Sequence, residues 1–122
     1  MIGYVTIGTN DLERAAKFYD ALLAGVGAER GMENERLVAW GAGAGSPMLV
    51  VIKPADGNAA NGGNGPMVAL ACDSEDKINA LHAKALELGG TDEGAPGPRG
   101  DGFYGGYFRD LDGNKLVFFK MS

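Results

Sequence analysis

The stretch GYVTIGTNDLERAAKFYDALLAGVG, residues 3–27, decides the fold, because residues 66–90, PMVALACDSEDKINALHAKALELGG, repeat its pattern. Each segment begins with a strand-like stretch, continues with a polar capping residue and an apolar stripe at helical spacing, and ends at two glycines. Residue 10 aligns with 73, 13 with 76 and 4 with 67, a constant offset of 63 positions. One ungapped offset that reproduces strand, cap, stripe and stop indicates a tandem repeat.

The start of each helix is predicted from a capping pattern. Asn10 is followed three positions later by Glu13, and Asp73 by Asp76. A polar side chain that accepts from the backbone N–H groups of the first turn, with an acid three residues on, is typical of a helix N-terminus. We therefore expect Asn10 and Asp73 to be the N-cap residues.

Three further extended stretches follow each predicted helix, so the repeated unit is β-α-β-β-β. The turn Asp-Leu-Asp-Gly-Asn before the last stretch is a strong hairpin signal, because these residues tolerate positive φ. The extended stretches are 29–32, 36–41 and 48–53 in the first copy, and 91–94, 105–109 and 115–121 in the second.

A connector rich in Gly, Asn, Ala and Asp separates the two copies. Such a composition is typical of an exposed linker. The predicted organisation is one α+β domain over 1–122, with module one at 1–54, the linker at 55–65 and module two at 66–122.

Composition narrows the classes of function. A net charge of −5 without a Lys/Arg cluster argues against a nucleic-acid partner, and no apolar stretch is long enough to span a membrane. The single Cys72 excludes an intramolecular disulfide and a cysteine-based zinc site. The chain begins with a strand pattern instead of a signal peptide, so we expect a soluble cytoplasmic protein.

Two β-α-β-β-β units with these motifs resemble the vicinal oxygen chelate superfamily, which includes glyoxalases, bleomycin-resistance proteins and extradiol dioxygenases. The resemblance covers nearly the whole chain. It implies two half-open mixed sheets with outer helices, an enclosed cleft and a homodimer. Its marks are Gly-Asn-Gly at 63–65, GAPGPR at 94–99, FYGGYFR at 103–109 and DLDGNKL at 110–116.

The resemblance also implies a metal site, with one ligand from the first strand and one from the last strand of each unit. The matching positions in this chain are Tyr4, Val50, Met67 and Val117. Val cannot coordinate a metal, and Met sulfur is too soft for the metals of this family. We expect no metal and no cofactor, and an apolar cleft floor with one hydroxyl instead.

Other candidate ligand-binding residues lie in the second copy. Arg99 can bind a carboxylate or phosphate bidentately, although a solvated loop charge is commoner. Phe103, Tyr104 and Tyr107 are aromatic residues beside the cleft, although core packing is the commoner role for Tyr107. They follow residues 94–102, which are predicted to form a loop that could cap the cleft.

Two functions are compatible with this pattern. One is a lyase or isomerase of the glyoxalase type, with Tyr4 as acid/base or hydrogen-bond donor and Arg99 as anion anchor. The other is a non-catalytic module that sequesters hydrophobic or aromatic compounds, as the drug-binding members of the resembled family do. The only histidine, His82, is expected at the edge of the packed helix face, not in the cleft.

Overall fold

The computed structural model describes residues 1–122 and contains two β-α-β-β-β units. The units, which we call the first and the second unit, span Met1–Gly62 and Gly63–Ser122. The first contains β1 (Tyr4–Gly8), α1 (Leu12–Leu23), a 3₁₀ turn (Ala24–Val26), β2 (Glu29–Glu33), β3 (Leu37–Gly41) and β4 (Met48–Ile52). The second contains β5 (Val68–Ala71), α2 (Glu75–Glu87), β6 (Thr91–Pro98), β7 (Phe103–Arg109) and β8 (Lys115–Met121).

Each unit forms one four-stranded mixed sheet, which confirms the α+β fold expected from the sequence. The strand orders are β1-β4-β3-β2 and β5-β8-β7-β6, so the first strand of each unit pairs with the last. That pair is parallel, and the other pairs are antiparallel. Neither sheet closes on itself. Neither helix has the length and apolar character that crossing a membrane requires.

The register between first and last strand is the same in both units. Thr6 lies opposite Val50 in the first unit, and Ala69 lies opposite Val117 in the second. Residues 6 and 69 differ by the 63 positions that relate the two copies in sequence. The repeat is therefore a repeat of backbone pairing as well as of residue pattern.

Both helices begin one residue later than the capping pattern predicted. Asp11 caps α1 and accepts a hydrogen bond from the backbone N–H of Arg14, and Ser74 caps α2 and accepts from Lys77. The prediction of Asn10 was wrong because its side chain exchanges two hydrogen bonds with the backbone of Ala60 in the linker. The two caps, at 11 and 74, keep the offset of the repeat.

A pair of ring side chains at matching positions joins each helix to its sheet. In the first unit Tyr19 of α1 lies 5.6 Å from Trp40 of β3, measured between ring centroids. In the second unit His82 of α2 lies 6.5 Å from Phe108 of β7. These four side chains are buried. Burial of large apolar groups between helix and sheet supplies the main free energy that stabilises each unit.

Strand β6 is longer than the sequence pattern predicted. Residues 94–98 pair with β7, whereas residues 94–102 were predicted to form a capping loop. Register shifts on either side of Gly94 let the glycines and prolines join the sheet. The connection to β7 is a short turn closed by hydrogen bonds between Arg99 and Phe103 and between Phe103 and Gly100. The predicted capping loop is thus a β-hairpin.

Candidate functional site

In each sheet, alternate side chains point away from the covering helix, and we call that side the open face. On the open face of the first unit lies a cavity of about 200 Å³. Its floor contains Ala39 and Val50, which are buried, and Met32 forms part of its exposed edge. No lining residue carries a charge. The lining is Tyr4, Thr6, Met32, Leu37, Ala39, Met48, Val50 and Ile52.

Tyr4 and Val50 therefore line one cavity, with different exposure. Val50 is 6% exposed, whereas Tyr4 is 64% exposed and stands at the edge beside its strand partner Met48. The Tyr4 hydroxyl has no hydrogen-bond partner in the chain. It can donate to or accept from a bound molecule without first breaking an internal bond.

On the open face of the second unit, aromatic side chains cover the sheet. Val117 is completely buried, and its strand neighbour is Tyr107. Phe103 and Val117 both reach the place where a side chain on Gly105 would stand. Phe103 stacks on Phe119 with ring centroids 5.4 Å apart and the rings nearly parallel. Val117 is thus a covered floor residue, unlike its counterpart Val50.

Met67 lies directly before β5 and is 43% exposed. Met67 stands two residues before Ala69, so the alternation of the strand points both side chains to the same face, and Ala69 lies opposite Val117. Met67 is one of the large apolar side chains that remain exposed, with Tyr4 and Met32 of the first unit.

Tyr104 lies on the opposite face of its sheet from Phe103 and Tyr107. Its hydroxyl donates a hydrogen bond of 2.6 Å to the Asn79 side chain on α2. Successive strand residues point to opposite faces, so only one of the neighbours Phe103 and Tyr104 can lie on the open face. Tyr104 thus connects strand and helix.

Arg99 folds back along the open face of its own hairpin. Its Nη2 donates to the backbone carbonyls of Ala95 and Gly105, and the guanidinium carbon lies 5.2 Å from the centroid of the Tyr107 ring. Lys115 places its Nζ 5.3 Å from the same centroid. Sequence reasoning identified Arg99 and Tyr107 but missed Lys115, because only the register of β7 and β8 brings it there.

His82 lies on the helix side of the second sheet, away from the open face of that sheet. Its Nε2 lies 3.1 Å from a carboxylate oxygen of Asp92 and 3.0 Å from the carbonyl of Tyr107. Both partners can only accept, so Nε2 carries the proton and donates. The ring is buried and edge-on to Phe108. His82 is therefore a bonded core residue.

The comparisons with known proteins agree with this architecture. The model of the Glyoxalase/Bleomycin resistance protein/Dioxygenase superfamily matches residues 1–118. The chain belongs to this superfamily. None of the curated proteins matches the chain.

Solved structures of the superfamily have the same fold. A glyoxalase/bleomycin resistance protein from Albidiferax ferrireducens T118 is 36% identical, with a TM-score of 0.91, and the match covers 100% of this chain and 99% of that one. A lactoylglutathione lyase from Agrobacterium tumefaciens is 20% identical, with a TM-score of 0.72 and coverage of 98% and 92%. The second likeness concerns the fold alone.

The residues at the superfamily's metal positions do not fit a divalent ion. Val50 and Val117 have no donor atom, Met67 offers only a thioether, and Tyr4 offers one phenol oxygen. No group of three or more His, Cys, Asp or Glu side chains that could hold a metal exists elsewhere in the chain. The donor set here suits an organic molecule better than a cation.

Proposed function

We propose that this superfamily member binds a small hydrophobic or aromatic molecule in the cavity of its first unit, without the divalent metal that its resemblance to the superfamily implies. The observation that carries the proposal is the lining of that cavity, which contains no charge and only two hydroxyls, from Tyr4 and Thr6. Ligand sites are mostly apolar, with few polar groups that orient the ligand. A volume of about 200 Å³ suits a single ring or a short chain.

The edge of the cavity can adapt to several ligand shapes. Met32 and Met48 are both lining residues, and the Met48 side chain also reaches across to Gly31 and Gly41. Methionine is flexible and polarizable, so it packs against differently shaped partners at low cost. The proposal is thus a sequestering protein with tolerance for related compounds.

Catalysis of the lyase or isomerase type is the second candidate, and one observation favours it. The Tyr4 hydroxyl stands unbonded at the cavity edge, where it can act as a hydrogen-bond donor or acid. Against it, the lining contains no carboxylate or imidazole that could serve as a general base near neutral pH. Sequestration is therefore the better supported function.

The binding proposal is tested with phenol and toluene as probes in a thermal-shift and calorimetric titration. Stabilisation should rise with probe concentration. Ala39→Met fills the cavity from its floor and should abolish binding, whereas Ala69→Met, the same change on the open face of the second unit, should leave it intact. Equal binding by the Ala39→Met variant would place the probe elsewhere and contradict the proposal.

Tyr4→Phe separates sequestration from catalysis. It keeps the ring at the edge and removes only the hydroxyl, so a bound apolar probe should be retained and recovered unchanged. A chemical product that disappears in Tyr4→Phe would favour catalysis.

Metal binding is tested by incubation with zinc, nickel or manganese, followed by desalting and elemental analysis. We expect less than stoichiometric metal. Stoichiometric metal that is lost in Tyr4→Phe would overturn the metal-free assignment.

A further inference from the structure

We propose that the first unit has a second binding site, on the helix side of its sheet, for a free α-amino acid with an apolar side chain. The site is a groove of about 540 Å³ between α1 and the turn that joins β2 to β3, and we call it the helix-side groove. Glu35 would bind the ammonium group, Lys53 would bind the carboxylate, and the apolar floor of the groove would contact the side chain.

The helix-side groove and the cavity of the first unit lie on opposite faces of one sheet. Val38 lines the groove, and its neighbour Ala39 lines the cavity. In the same way Lys53 lines the groove, and its neighbour Ile52 lines the cavity. Successive strand residues point to opposite faces, so the groove is a separate site. It does not depend on the function proposed for the cavity.

A difference between the two copies explains why the groove exists. In the second unit the Tyr104 hydroxyl donates a hydrogen bond of 2.6 Å to Asn79, which joins α2 to its sheet. The residue that corresponds to Asn79 in the first unit, 63 positions earlier, is Ala16. Its methyl group cannot make this bond, and Ala16 lines the groove. The groove therefore lies where the second unit has a bridge between helix and sheet.

The floor of the helix-side groove is apolar. Ala16 and Val38 are buried, Leu12 is half-buried, and all three line the groove. An aliphatic side chain placed against them would be removed from water without covering a polar side chain. The volume of the groove is typical of ligand sites, which range from about 300 to 1,000 Å³.

Six charged side chains also line the groove, and four of them are paired. These six are Glu13, Lys17, Arg30, Glu33, Glu35 and Lys53. Arg30 donates to Asp20 through Nε and Nη2, and to Glu33 through Nη1. The Lys17 ammonium lies 3.8 Å from the Glu13 carboxylate one helical turn away. These groups already have a partner of opposite charge, so they attract a ligand less than an unpaired group does.

The other two charged residues, Glu35 and Lys53, form no ion pair and no side-chain hydrogen bond, with each other or with another residue. They lie at the same end of the groove, because the Lys53 backbone N–H donates a hydrogen bond of 3.0 Å to the carbonyl of Arg36, the residue after Glu35. One free carboxylate and one free ammonium at one end suit a ligand whose own opposite charges are close together. An α-amino acid carries both charges and its side chain on one carbon atom.

The charge balance of the groove excludes simpler ligands. A plain anion would be attracted by Lys53 and repelled by Glu35, and a plain cation would meet the reverse. The turn that carries Glu35 is closed before a ligand arrives, because Asn34 Oδ1 accepts from the backbone N–H groups of Arg36 and Leu37 at 2.8 and 3.0 Å. A preformed turn lowers the entropy cost of binding.

The test is an NMR titration of the isotope-labelled protein with L-leucine and two analogues. Isoamylamine lacks the carboxylate of leucine, and isocaproate lacks the ammonium. Leucine should bind about threefold more tightly than either analogue, since each ion contact at an exposed site contributes little. The amide signals that shift should belong to residues that line the groove, and Ala39→Met, which fills the cavity on the other face, should leave the leucine affinity unchanged.

Two variants assign the charges. Lys53→Gln should weaken leucine binding about threefold, so that leucine binds no more tightly than isoamylamine. Glu35→Gln should weaken it by a similar factor, so that leucine binds no more tightly than isocaproate. Arg36→Gln is the matched control, because it removes a positive charge from the same turn but does not line the groove. Circular dichroism checks that each variant is folded.

Several results would overturn the proposal. These are affinities for leucine and both analogues that do not differ, absence of saturable shifts at millimolar leucine, or the same loss in Arg36→Gln as in Lys53→Gln. Shifts confined to Ala39 and Val50 would place leucine in the cavity, which contradicts this proposal and agrees with the proposed function. Failure of phenol and toluene to bind would contradict the proposed function alone.

Discussion

The two units share strand order, register and helix placement, yet their open faces differ in nearly every side chain. The first presents an uncharged cavity with Tyr4 at its edge, and the second presents the stacked rings of Phe103 and Phe119 and a third ring, Tyr107, that Arg99 and Lys115 each approach. On the helix side the units stay alike, with Tyr19 on Trp40 in one and His82 on Phe108 in the other. The helix side thus keeps its aromatic pair in both units, whereas the open side carries different side chains in each.

The largest expected effect comes from replacing aromatic residues with Ala on the two sides of the sheets and comparing the free energies of unfolding. Trp40→Ala and Phe108→Ala should each lower the free energy of unfolding by about 3–5 kcal/mol, because both rings are fully buried. Tyr4→Ala should change it by less than about 0.5 kcal/mol, since Tyr4 is 64% exposed. Urea unfolding followed by circular dichroism measures all three. A large loss in Tyr4→Ala would mean that the open face also supports the fold.

A second test compares the matched valines of the last strands. Val117→Ala should cost about 2 kcal/mol, because the residue is completely covered and the lost methyl groups leave a void. Val50→Ala should cost about 1 kcal/mol, since it borders an existing cavity and the space it leaves opens into that cavity. The measurement is again the free energy of unfolding in urea. Equal losses of unfolding free energy would show that Val50 and Val117 are packed equally tightly.

Removal of the N-cap side chain should destabilise the protein by a similar amount in the two units. Asp11→Ala and Ser74→Ala each remove an acceptor for a backbone N–H in the first turn, which typically costs about 1 kcal/mol. Asp73→Ala is the control, because it removes only an exposed ion pair with Lys77. Thermal unfolding should show a clear decrease for the two cap variants and almost none for Asp73→Ala. A larger effect of Asp73→Ala would restore Asp73 as the cap.

The smallest expected effect concerns pH and the first unit alone. The Arg30 side chain, which donates two hydrogen bonds to Asp20, lowers the pKa of that carboxyl below its usual 3.8, and burial opposes the shift. Because the folded pKa lies below the unfolded one, the stabilisation is complete above the unfolded pKa and is lost as pH falls through the folded pKa. The corresponding position in the second unit is Ala83.

Asp20→Asn should therefore be less stable than the parent protein by less than about 1 kcal/mol at pH 6, since the pair is partly exposed and solvent screens it. The difference should shrink as pH falls through the folded pKa of Asp20, because the protonated carboxyl is then neutral like the Asn amide. Asn can still accept from the Trp40 indole, so that bond is preserved. Chemical unfolding at several pH values measures this, and a difference that is independent of pH would contradict it.

The fold was predictable from the sequence because the same pattern of residues occurs twice in the chain. Strand, helix and hairpin follow from local patterns, and the common offset confirms each assignment against its copy. The N-caps were missed by one residue because Asn10 and Asp11 are both good capping residues, and only the contact of Asn10 with Ala60 decides between them. The length of β6 was missed because Gly and Pro usually end strands, whereas here bulges accommodate them.

The face on which a candidate site residue lies was predictable only where the alternation of side chains along a strand determines it. It assigns Tyr4 and Val50 to one face, and the structure places both in one cavity. It did not show that Tyr104, predicted as a ligand-binding residue, points towards α2, because the strand was predicted to begin at residue 105 and begins at Phe103. Lys115 was missed because its approach to Tyr107 depends on side-chain direction across two strands.

The turn between β7 and β8 tolerates only one charge state at its centre. Asp110 and Asn114 are both buried, and the Asn114 amide nitrogen donates to the Asp110 carboxylate at 3.0 Å. Deamidation would turn that donor into a second carboxylate facing the first, and two buried negative charges at such a distance repel strongly. Asn114→Asp should therefore unfold at a lower urea concentration than the parent protein, so the closure of this turn depends on one side-chain amide.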